Sequence, residues 1–400
     1  MSEIKVNSIK GVGASAAAIT VDNSSGSATA NLTTVNSVTM PNGGFLSNRN
    51  IIINGACNVA QRSLSSTSSG YQTVDRFKTN YSGLDNNPTQ AQVDVASGTT
   101  PYTQGFRKAF KITNGNQSSG AGAGDQASIS YLIEDQDLAT SGWNYLSATS
   151  YVTLSFWFKS SVNQTFYVVL ESKDGSSKQY SFAVTPTGAD TWTKVTHSIK
   201  GDSGLQFSND NGEGIEIYFL LFYGTNATTS GHTLNTWKAT NGSDQAPDMT
   251  STWYTTNSAT WEMTAVQLEV GSVATDFEHR SFAVEKRLCM RYYQQELNPQ
   301  RGGGRAGNSA NKGELHPFFF PVEMRSAPTV SITNAGSPSG QYVYDDDSYA
   351  NMSSLDSSST NSISCHINYT LSADLTNGSH LILGGATSSS QTTYKFNAEL

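Results

Sequence analysis

The sequence has few cysteines, few charged residues and no long apolar run. Its 400 residues include three cysteines, Cys57, Cys289 and Cys365. This odd, widely spaced set argues against both a disulfide framework and a zinc module. No stretch approaches the about 18 apolar residues of a transmembrane helix, and the N-terminus MSEIKVNSIKG has no apolar signal core. We therefore expect neither membrane insertion nor classical secretion.

The chain is also poor in positive charge. Charged residues make up 14% of the sequence, and the formal net charge is −8. A protein that binds nucleic acid or an anionic membrane surface would carry a basic patch, so neither partner is expected. The remaining polar positions are mostly Ser, Thr, Asn and Gly, which is typical of a β-rich protein with a surface of hydroxyl and amide groups.

Short apolar runs separated by Gly and Asn turns are abundant. Residues 51–53 read Ile-Ile-Ile and lead directly into the turn Asn54-Gly55. Later runs, such as 164–172 and 214–223, alternate so that each offers one face to a core. About ten such runs with little helix predict an all-β fold, with a jelly-roll β-sandwich over residues 48–280.

The first 47 residues differ from the rest. Their apolar positions, such as Ile4, Val6 and Ile9, are sparse and lie among Gly, Ala and Ser. Strands this short cannot close a core alone. One interpretation of residues 1–47 is a disordered leader. The other, which we favour because the segment has little charge, is an N-terminal segment that orders only against sister chains or a docking partner.

Residues 261–295 combine a strand, a turn and the clearest helix. Strict alternation along 261–270 places on one face Trp261, Met263, Ala265 and Gln267. Ser281 is a suitable N-cap for a short amphipathic helix, residues 281–298, which Asn298-Pro299 ends. A Gly-rich linker, 299–313, then leads to a smaller C-terminal β domain, 314–400, which we expect to be the distal tip.

Several of these stretches together resemble the tail-fibre or receptor-binding proteins of marine bacteriophages, of the cyanophage or pelagiphage kind. The resemblance spans nearly the whole chain, and its most specific part is QLEVGSVATDFEHR with the following RYYQ. The other stretches are MSEIKVNSI, NIIINGACNVAQRS, GYQTVDRF, SYVTLSFWFKSS, FPVEMRSAPTV and KFNAEL.

This resemblance implies a virion protein, made in the host cytoplasm and usually a homotrimer. Its middle domain would be similar to carbohydrate-binding jelly rolls, and its distal end would meet the host surface. The N-terminal segment would dock to other tail proteins of the virion. Since such fibres differ most in their distal half, the resemblance does not identify the receptor.

Aromatic residues in polar loop sequence are the candidates for sugar binding. A sugar ring stacks its apolar face on an aromatic side chain, while amides and carboxylates bond its hydroxyls. The candidates are Trp143, Tyr145, Trp237, Trp253 and Tyr254. The alternative for all five is packing of each loop on its own domain, and for the excursion between residues 223 and 261 we expect a structured loop over the sandwich.

One turn is a candidate calcium site. Asp210, Asn211 and Glu213 surround Gly212 and supply the oxygen ligands that Ca²⁺ prefers. The spacing is not that of an EF-hand, and a plain Asn-Gly hairpin turn is the alternative interpretation. Beyond this structural ion, no cofactor is expected.

Catalysis has little support in the sequence. The acidic residues are scattered, the histidines form no paired metal-ligand motif, and no Ser or Cys lies in a G-x-S-x-G nucleophile motif. We therefore predict a binding protein and not an enzyme. The main hypothesis is a tail fibre that binds host surface polysaccharide; the alternative is a purely structural virion component, and the third is a glycan depolymerase.

The end of the predicted helix is the candidate subunit contact. Arg287, Tyr292 and Tyr293 form a basic and aromatic stripe there. Arg and Tyr are enriched at protein interfaces, and one such turn in an acidic chain does not indicate nucleic-acid binding. We expect these three residues to meet their copies in the trimer.

Overall fold

The computed structural model describes residues 8–9, 19–21, 28–30, 48–297, 303–306, 312–315, 318–334, 341–344, 349–371, 380–385 and 392–400. The chain divides into two units, Met1–Leu46 and Ser47–Leu400. In the first unit, three short strands form an antiparallel sheet in chain order: β1 (Ser8–Ile9), β2 (Ile19–Val21) and β3 (Ala28–Ala30). The rest of the predicted docking segment lies outside the described residues.

The main domain is built from strands β4 to β15. In chain order they are β4 (Ser65–Ser66), β5 (Phe77–Ser82), β6 (Thr89–Asp94), β7 (Lys108–Thr113), β8 (Gln126–Glu134), β9 (Tyr151–Ser160), β10 (Phe166–Ser172), β11 (Lys178–Val184), β12 (Thr193–Lys200), β13 (Glu213–Tyr223), β14 (Lys238–Ala239) and β15 (Thr260–Val270). Three short helices join them: α1 (Thr100–Thr103), α2 (Asp135–Ala139) and α3 (Thr252–Thr255).

These strands form two six-stranded antiparallel sheets. Sheet I has the order β14-β11-β10-β13-β8-β5, and sheet II the order β12-β9-β15-β7-β6-β4. The inward side chains of both sheets belong to one hydrophobic core. Phe156 of sheet II meets Phe219 of sheet I edge to face, with ring centroids 5.2 Å apart. The all-β, jelly-roll sandwich prediction is confirmed, because alternation gives each strand one apolar face to bury.

Strand β15 departs from the predicted alternation. Its register with β9 shifts between Thr264 and Gln267, and Ala265 there has a positive φ of 59°. This β-bulge adds one residue and reverses the faces beyond it. Trp261 and Met263 point into the core, but the later inward residues are Val266 and Leu268. The prediction that Ala265 and Gln267 share a face with Trp261 is therefore wrong.

The segment at residues 50–57 pairs with β15 at this bulge. Ile51 N donates to Leu268 O at 2.9 Å, and Val266 N donates to Gly55 O at 2.9 Å. A Cβ on Gly55 would lie 1.9 Å from Val266 O, so only glycine allows the two backbones to approach this closely. The Asn54-Gly55 pair thus serves as a point of close backbone contact as well as a turn.

The predicted helix 281–298 is shorter than expected. Helix α4 spans Phe282–Met290, and Ser281 Oγ accepts a hydrogen bond from Val284 N at 3.4 Å, as an N-cap should. The chain then forms β16 (Tyr293–Leu297), which pairs with the C-terminal strand. Residues 293–297 are therefore a strand and not the second half of the predicted helix.

The C-terminal region supplies β17 (Gly303–Ala306), β18 (Lys312–Leu315), β19 (Phe318–Phe319), β20 (Thr329–Asn334), β21 (Gln341–Tyr344), β22 (Tyr349–Thr360), β23 (Ser364–Leu371), β24 (His380–Gly385) and β25 (Thr392–Asn397). One sheet has the order β16-β25-β20 and another the order β18-β17-β24-β21-β22-β23-β19. The predicted linker 299–313 therefore contains β17 and the start of β18.

The last residues of the chain return to the sandwich. The buried Arg76 guanidinium forms an ion pair with Glu399, and Arg62 binds the same carboxylate at 3.2 Å. Tyr71 OH donates to Leu400 O at 3.1 Å. A second ion pair joins the half-buried Arg291, beyond helix α4, to the buried Glu134 at the end of β8, with two nitrogen–oxygen distances of 2.7 and 2.8 Å. Charge-assisted bonds of this kind stabilise the contact between two segments and also fix the position of one segment relative to the other.

The three cysteines are free and buried. Burial raises the pKa of the Cys57 thiol to about 12, which keeps it protonated and unreactive. In the described part of the chain, no helix combines the length and apolar character needed to cross a bilayer.

Candidate functional site

Four of the five predicted sugar-binding aromatics lie inside the core. Trp143, Trp237, Trp253 and Tyr254 are between 0% and 6% exposed and belong to the main hydrophobic cluster. Trp237 Nε1 donates to Lys200 O at 2.8 Å, and Tyr254 stacks on Phe222 with ring centroids 4.5 Å apart. Their rings have no free face for a sugar, so the prediction of exposed platforms is wrong for these four. Packing, the alternative interpretation, describes them.

The fifth candidate, Tyr145, is half-buried. Its ring meets Phe207 edge to face with centroids 4.6 Å apart, and it packs against the same core. It lies apart from any second exposed aromatic of the predicted set. The expected structured loop over the sandwich is confirmed, since Trp237, Trp253 and Tyr254 anchor it.

The predicted calcium turn is held by its own hydrogen bonds. Asp210 Oδ1 accepts from Gly212 N at 2.7 Å, and Asn209 has a positive φ of 59°. Asn211 exchanges two bonds with Arg325, of 2.6 and 2.7 Å, and Glu213 is exposed. Across the described residues, no three His, Cys, Asp or Glu side chains cluster as a metal site. These contacts hold the segment as a hydrogen-bonded turn, but it is not the hairpin of the alternative interpretation, because β12 and β13 on either side of it lie in different sheets and do not pair.

A different set of residues forms a polar and aromatic surface on the outside of sheet I. We call it the tyrosine face and define it as Tyr167, Glu171, Lys173, Glu216 and Tyr218. Strands β10 and β13 are neighbours, and Glu171 lies directly opposite Glu216 while Val169 lies opposite Tyr218. Tyr167 and Tyr218 are therefore diagonal neighbours, about 7–8 Å apart at the backbone. Both tyrosines are half-buried, so each keeps part of its ring exposed.

The charges of the tyrosine face are linked through Lys173. Its Nζ lies 2.8 Å from Glu216 Oε2, 3.4 Å from Glu171 Oε2 and 3.2 Å from Tyr218 OH. Tyr218 OH also donates to Glu216. Burial alone would lower the pKa of Lys173, but the Glu216 and Glu171 carboxylates outweigh it and the pKa is raised. Lys173 therefore stays charged and holds the two carboxylates in place.

The long loop, residues 224–259 between β13 and β15, borders the tyrosine face. Ala227 and Ala246 of this loop cover Val169 and Leu220 of sheet I, and Tyr167, Tyr218 and Met249 pack around that cluster. The loop and the outer surface of sheet I thus form the wall and the floor of a shallow groove. Tyr167 and Tyr218 lie where the loop meets the sheet, and the groove could hold an extended ligand along the strands.

Ser181, His232 and Asp244 are connected in the order of a catalytic triad. Ser181 Oγ contacts His232 Nε2, and His232 Nδ1 lies 2.7 Å from Asp244 Oδ1. However, Ser181 is 1% exposed in the middle of β11 and the His232 side chain is fully buried. Lys238 Nζ also contacts Asp244 at 2.6 Å. A nucleophile must reach its substrate, so this arrangement fastens the long loop to sheet I and is not a hydrolase centre.

The sequence contains a signal for the tyrosine face that the loop-based reasoning missed. In β10 the inward residues are Phe166, Val168 and Leu170. The intervening positions, 167 and 171, carry Tyr and Glu, and β13 repeats this with Glu216 and Tyr218. Aromatic and charged residues at the outward positions of two neighbouring strands indicate a functional sheet face more directly than loop tryptophans do.

The predicted subunit contact is divided. Arg287 is exposed on α4. Tyr292 and Tyr293 are 1% and 3% exposed, with the guanidinium carbon of Arg76 3.4 Å from the Tyr292 ring centre and that of Arg62 3.6 Å from the Tyr293 ring centre. Because these arginines of the same chain cover both rings, the prediction that Tyr292 and Tyr293 meet other copies is wrong.

No protein-family model matches the sequence, and no curated protein matches it. Among solved structures, the chain is similar to the enzymatically active domain of tailspike protein 4 from bacteriophage CBA120, with a TM-score of 0.30 and 12% identity over 56% of this chain and 22% of that one.

Two carbohydrate-binding modules are also similar. For the family 11 module of a Clostridium thermocellum cellulosomal cellulase, the TM-score is 0.25 at 10% identity, covering 54% of this chain and 98% of the module. For a family 61 module in complex with β-1,4-galactotriose, the TM-score is 0.27 at 11% identity, covering 56% and 99%. Overlap this low does not transfer a ligand to this chain.

Proposed function

We propose that this protein is a tail-fibre protein of a virion that binds host surface polysaccharide through the tyrosine face. The observation that carries the proposal is the pair of half-buried tyrosines on neighbouring strands beside two carboxylates and an ammonium group. Aromatic rings offer stacking surfaces, and the charged groups offer donors and acceptors for sugar hydroxyls. The resemblance to marine phage fibres supports the virion role.

Binding, rather than hydrolysis, is the function that this geometry favours. A glycosidase needs two carboxyl groups facing the scissile bond, one of them free to donate a proton. Here Glu171 and Glu216 both form ion pairs with Lys173, so neither carboxyl group is free to donate a proton. Weak contacts at a shallow face would be multiplied by several copies in a trimer and several fibres on a particle.

A trimer would use other residues than the buried tyrosines. Phe282 and Val284 on α4 are 59% and 50% exposed, and Arg287 is exposed beside them. This apolar patch with one arginine has the composition of a subunit contact. A mass measurement of the purified protein tests it: a trimer in solution that dissociates in Phe282→Ser supports the assembly, and a monomer contradicts both the trimer and the avidity argument.

The glycan proposal is tested on a glycan array with three proteins: the native chain, Tyr218→Ala and Tyr145→Ala. We expect Tyr218→Ala to lose about tenfold or more in apparent affinity, equivalent to about 1.4 kcal/mol. Tyr145→Ala, which removes a half-buried tyrosine away from this face, should bind as the native chain does.

Two outcomes would overturn the proposal. Loss of binding in Tyr145→Ala but not in Tyr218→Ala would show that the glycan binds at the loops and not at the tyrosine face. No binding by the native protein at high valency would favour the structural alternative, a virion component without glycan binding. The burial of four predicted aromatics argues only against a site formed by the loops.

A further inference from the structure

A cavity of about 320 Å³ lies on the outside of sheet II, on the side of the sandwich opposite the tyrosine face. We call it the tryptophan cavity. Outward side chains of three neighbouring strands form its floor: Ser155 and Trp157 of β9, Lys194 of β12 and Ala265 of β15. Lys194 lies directly opposite Trp157 in the sheet. The side walls come from the turn after α1 and from the segment after β15.

The walls of the cavity are aromatic. Phe106, Phe277 and His279 contact one another, with ring centroids 5.0 to 5.1 Å apart. Trp157 Nε1 donates to Gln104 Oε1 at 3.0 Å, which orients the indole and leaves the Gln104 amide NH₂ as a donor for a ligand. Rigid rings on the floor and walls provide flat apolar surfaces at little cost in side-chain entropy.

The rim of the cavity is polar and carries both charges. Lys194 and Asp276 are exposed and line the opening with Thr275. An ammonium, a carboxylate and an amide are together able to bond several hydroxyl groups on one edge of a ring. Pockets of this kind, mostly aromatic with a few convergent polar groups, are the usual form of small-ligand sites.

The bulge of β15 opens the floor. Ala265, with its positive φ of 59°, turns outward and lines the cavity with only a methyl group. A β-branched residue at this φ would be a strong outlier, and a longer side chain would fill the space above Trp157. Bulges are frequent beside binding sites, where they redirect a side chain. Here the bulge places a small side chain, that of Ala265, at the bottom of the cavity.

We propose that the tryptophan cavity is a second saccharide site, which holds one or two sugar rings with their apolar face mainly on the half-buried Phe277. Trp157 is 9% exposed and contributes only the part of its ring that lines the cavity, while Lys194, Asp276 and Gln104 bond the sugar hydroxyls. The volume of the cavity is at the low end of the about 300–1,000 Å³ that small-ligand sites occupy, so it suits a chain end or a single branch residue and not a long chain. The assignment of a saccharide as the ligand rests on the proposed function, but the cavity and its residues are separate from the tyrosine face.

The inference is tested with free monosaccharides in the full-length protein. The probes are galactose, glucose, mannose and N-acetylglucosamine, and the readout is the NMR signal of the Trp157 indole NH, assigned by its loss in Trp157→Phe. We expect at least one sugar to shift this signal saturably, and Phe277→Ala and Lys194→Ala each to weaken that binding about tenfold or more, equivalent to about 1.4 kcal/mol.

Lys200→Ala is the matched control, because Lys200 is an exposed lysine at the other end of β12 on the same face. It should bind as the native chain does. Thermal unfolding of each variant shows that it is folded. Failure of every sugar to shift the signal, or unchanged binding in Phe277→Ala, would overturn the inference.

The two sites fail independently in this design. Tyr218→Ala should weaken polysaccharide binding about tenfold or more without changing the Trp157 response, and Phe277→Ala should weaken the Trp157 response by a similar factor without changing polysaccharide binding. Polysaccharide binding without any Trp157 response would leave the proposed function intact and remove the second site. A Trp157 response without binding at the tyrosine face would remove the first site and keep the second.

Discussion

The outer faces of the two sheets differ in how their polar groups are used. On the tyrosine face, Lys173 bonds both Glu171 and Glu216, and the long loop forms one wall. On the tryptophan cavity, aromatic rings pack together and the charged residues stand apart at the rim. The first face is organised by electrostatics and the second by packing, so different perturbations should affect each.

The largest expected effect comes from the buried ion pair near the first face. The Arg76 and Glu399 side chains are 1% and 3% exposed, so Arg76→Ala removes the closest partner of a buried carboxylate. Breaking a buried pair costs about 3–5 kcal/mol, and we expect the lower end because Arg62 still binds Glu399. Urea unfolding measures it.

The control for this prediction lies beside the second face. Arg107 is exposed, with its guanidinium carbon 3.9 Å from the Tyr102 ring centre. Since exposed substitutions usually stay within about 0.5 kcal/mol, Arg107→Ala should hardly change the free energy of unfolding. If Arg76→Ala and Arg107→Ala lowered the free energy of unfolding equally, burial would not be the cause of the loss in Arg76→Ala.

A smaller effect is expected at the wall of the tryptophan cavity. Gly105 has a positive φ of 97°, and a Cβ there would lie 3.2 Å from His279 Cε1. Gly105→Ala should cost about 1 kcal/mol from backbone strain and displace His279. We expect weaker sugar binding at Trp157 and unchanged polysaccharide binding at the tyrosine face.

Gly98→Ala separates strain from contact. Gly98 also has a positive φ, of 83°, but a Cβ there would meet nothing within 4 Å. Its unfolding free energy should fall similarly while the Trp157 response to sugar stays as in the native chain. If Gly98→Ala weakens sugar binding as much as Gly105→Ala does, displacement of His279 is not the cause.

The smallest effect is a pH dependence of the long loop. Burial alone would raise the pKa of Asp244, but hydrogen bonds from Lys238 and His232 outweigh it and the pKa lies below 3.8. The stabilisation is therefore present above pH 3.8 and is lost as the pH falls through the folded-state pKa. Asp244→Asn should lose it at every pH.

Amide hydrogen exchange measures this effect. The reporter is the Asn235 amide of the loop, which donates to Ser181 O at 2.8 Å. The internal control is the Glu278 amide, which donates to the neutral Gln267 Oε1 at 2.8 Å. A protection factor at Glu278 that falls in parallel with Asn235 would indicate global unfolding instead of release of the loop.

Some features follow directly from local patterns in the sequence. Alternation in β10 and β13 identifies the inward residues Phe166, Val168 and Phe219, because the side-chain period of a strand is two. Ser281 marks the start of α4, because its hydroxyl satisfies a free backbone N–H. Both signals act between residues that are close along the chain.

The candidate site was less accessible from the sequence. Trp237 and Trp253 lie in polar sequence, yet they are buried because their loop folds over the edge of sheet I. Tyr167 and Tyr218 lie far apart in the sequence, and only the pairing of β10 with β13 makes them neighbours. Burial of a loop residue and pairing between distant strands depend on the whole fold.

The sequence by itself therefore determined the class of fold, the inward face of most strands and the start of the helix, since local sterics and periodicity decide these. The tertiary structure decided the bulge at Ala265, the Arg76–Glu399 pair and the positions of both candidate sites. Each of these depends on contacts between segments distant in sequence, whose energies appear only once the two sheets, the loop and the C-terminal tail are packed together.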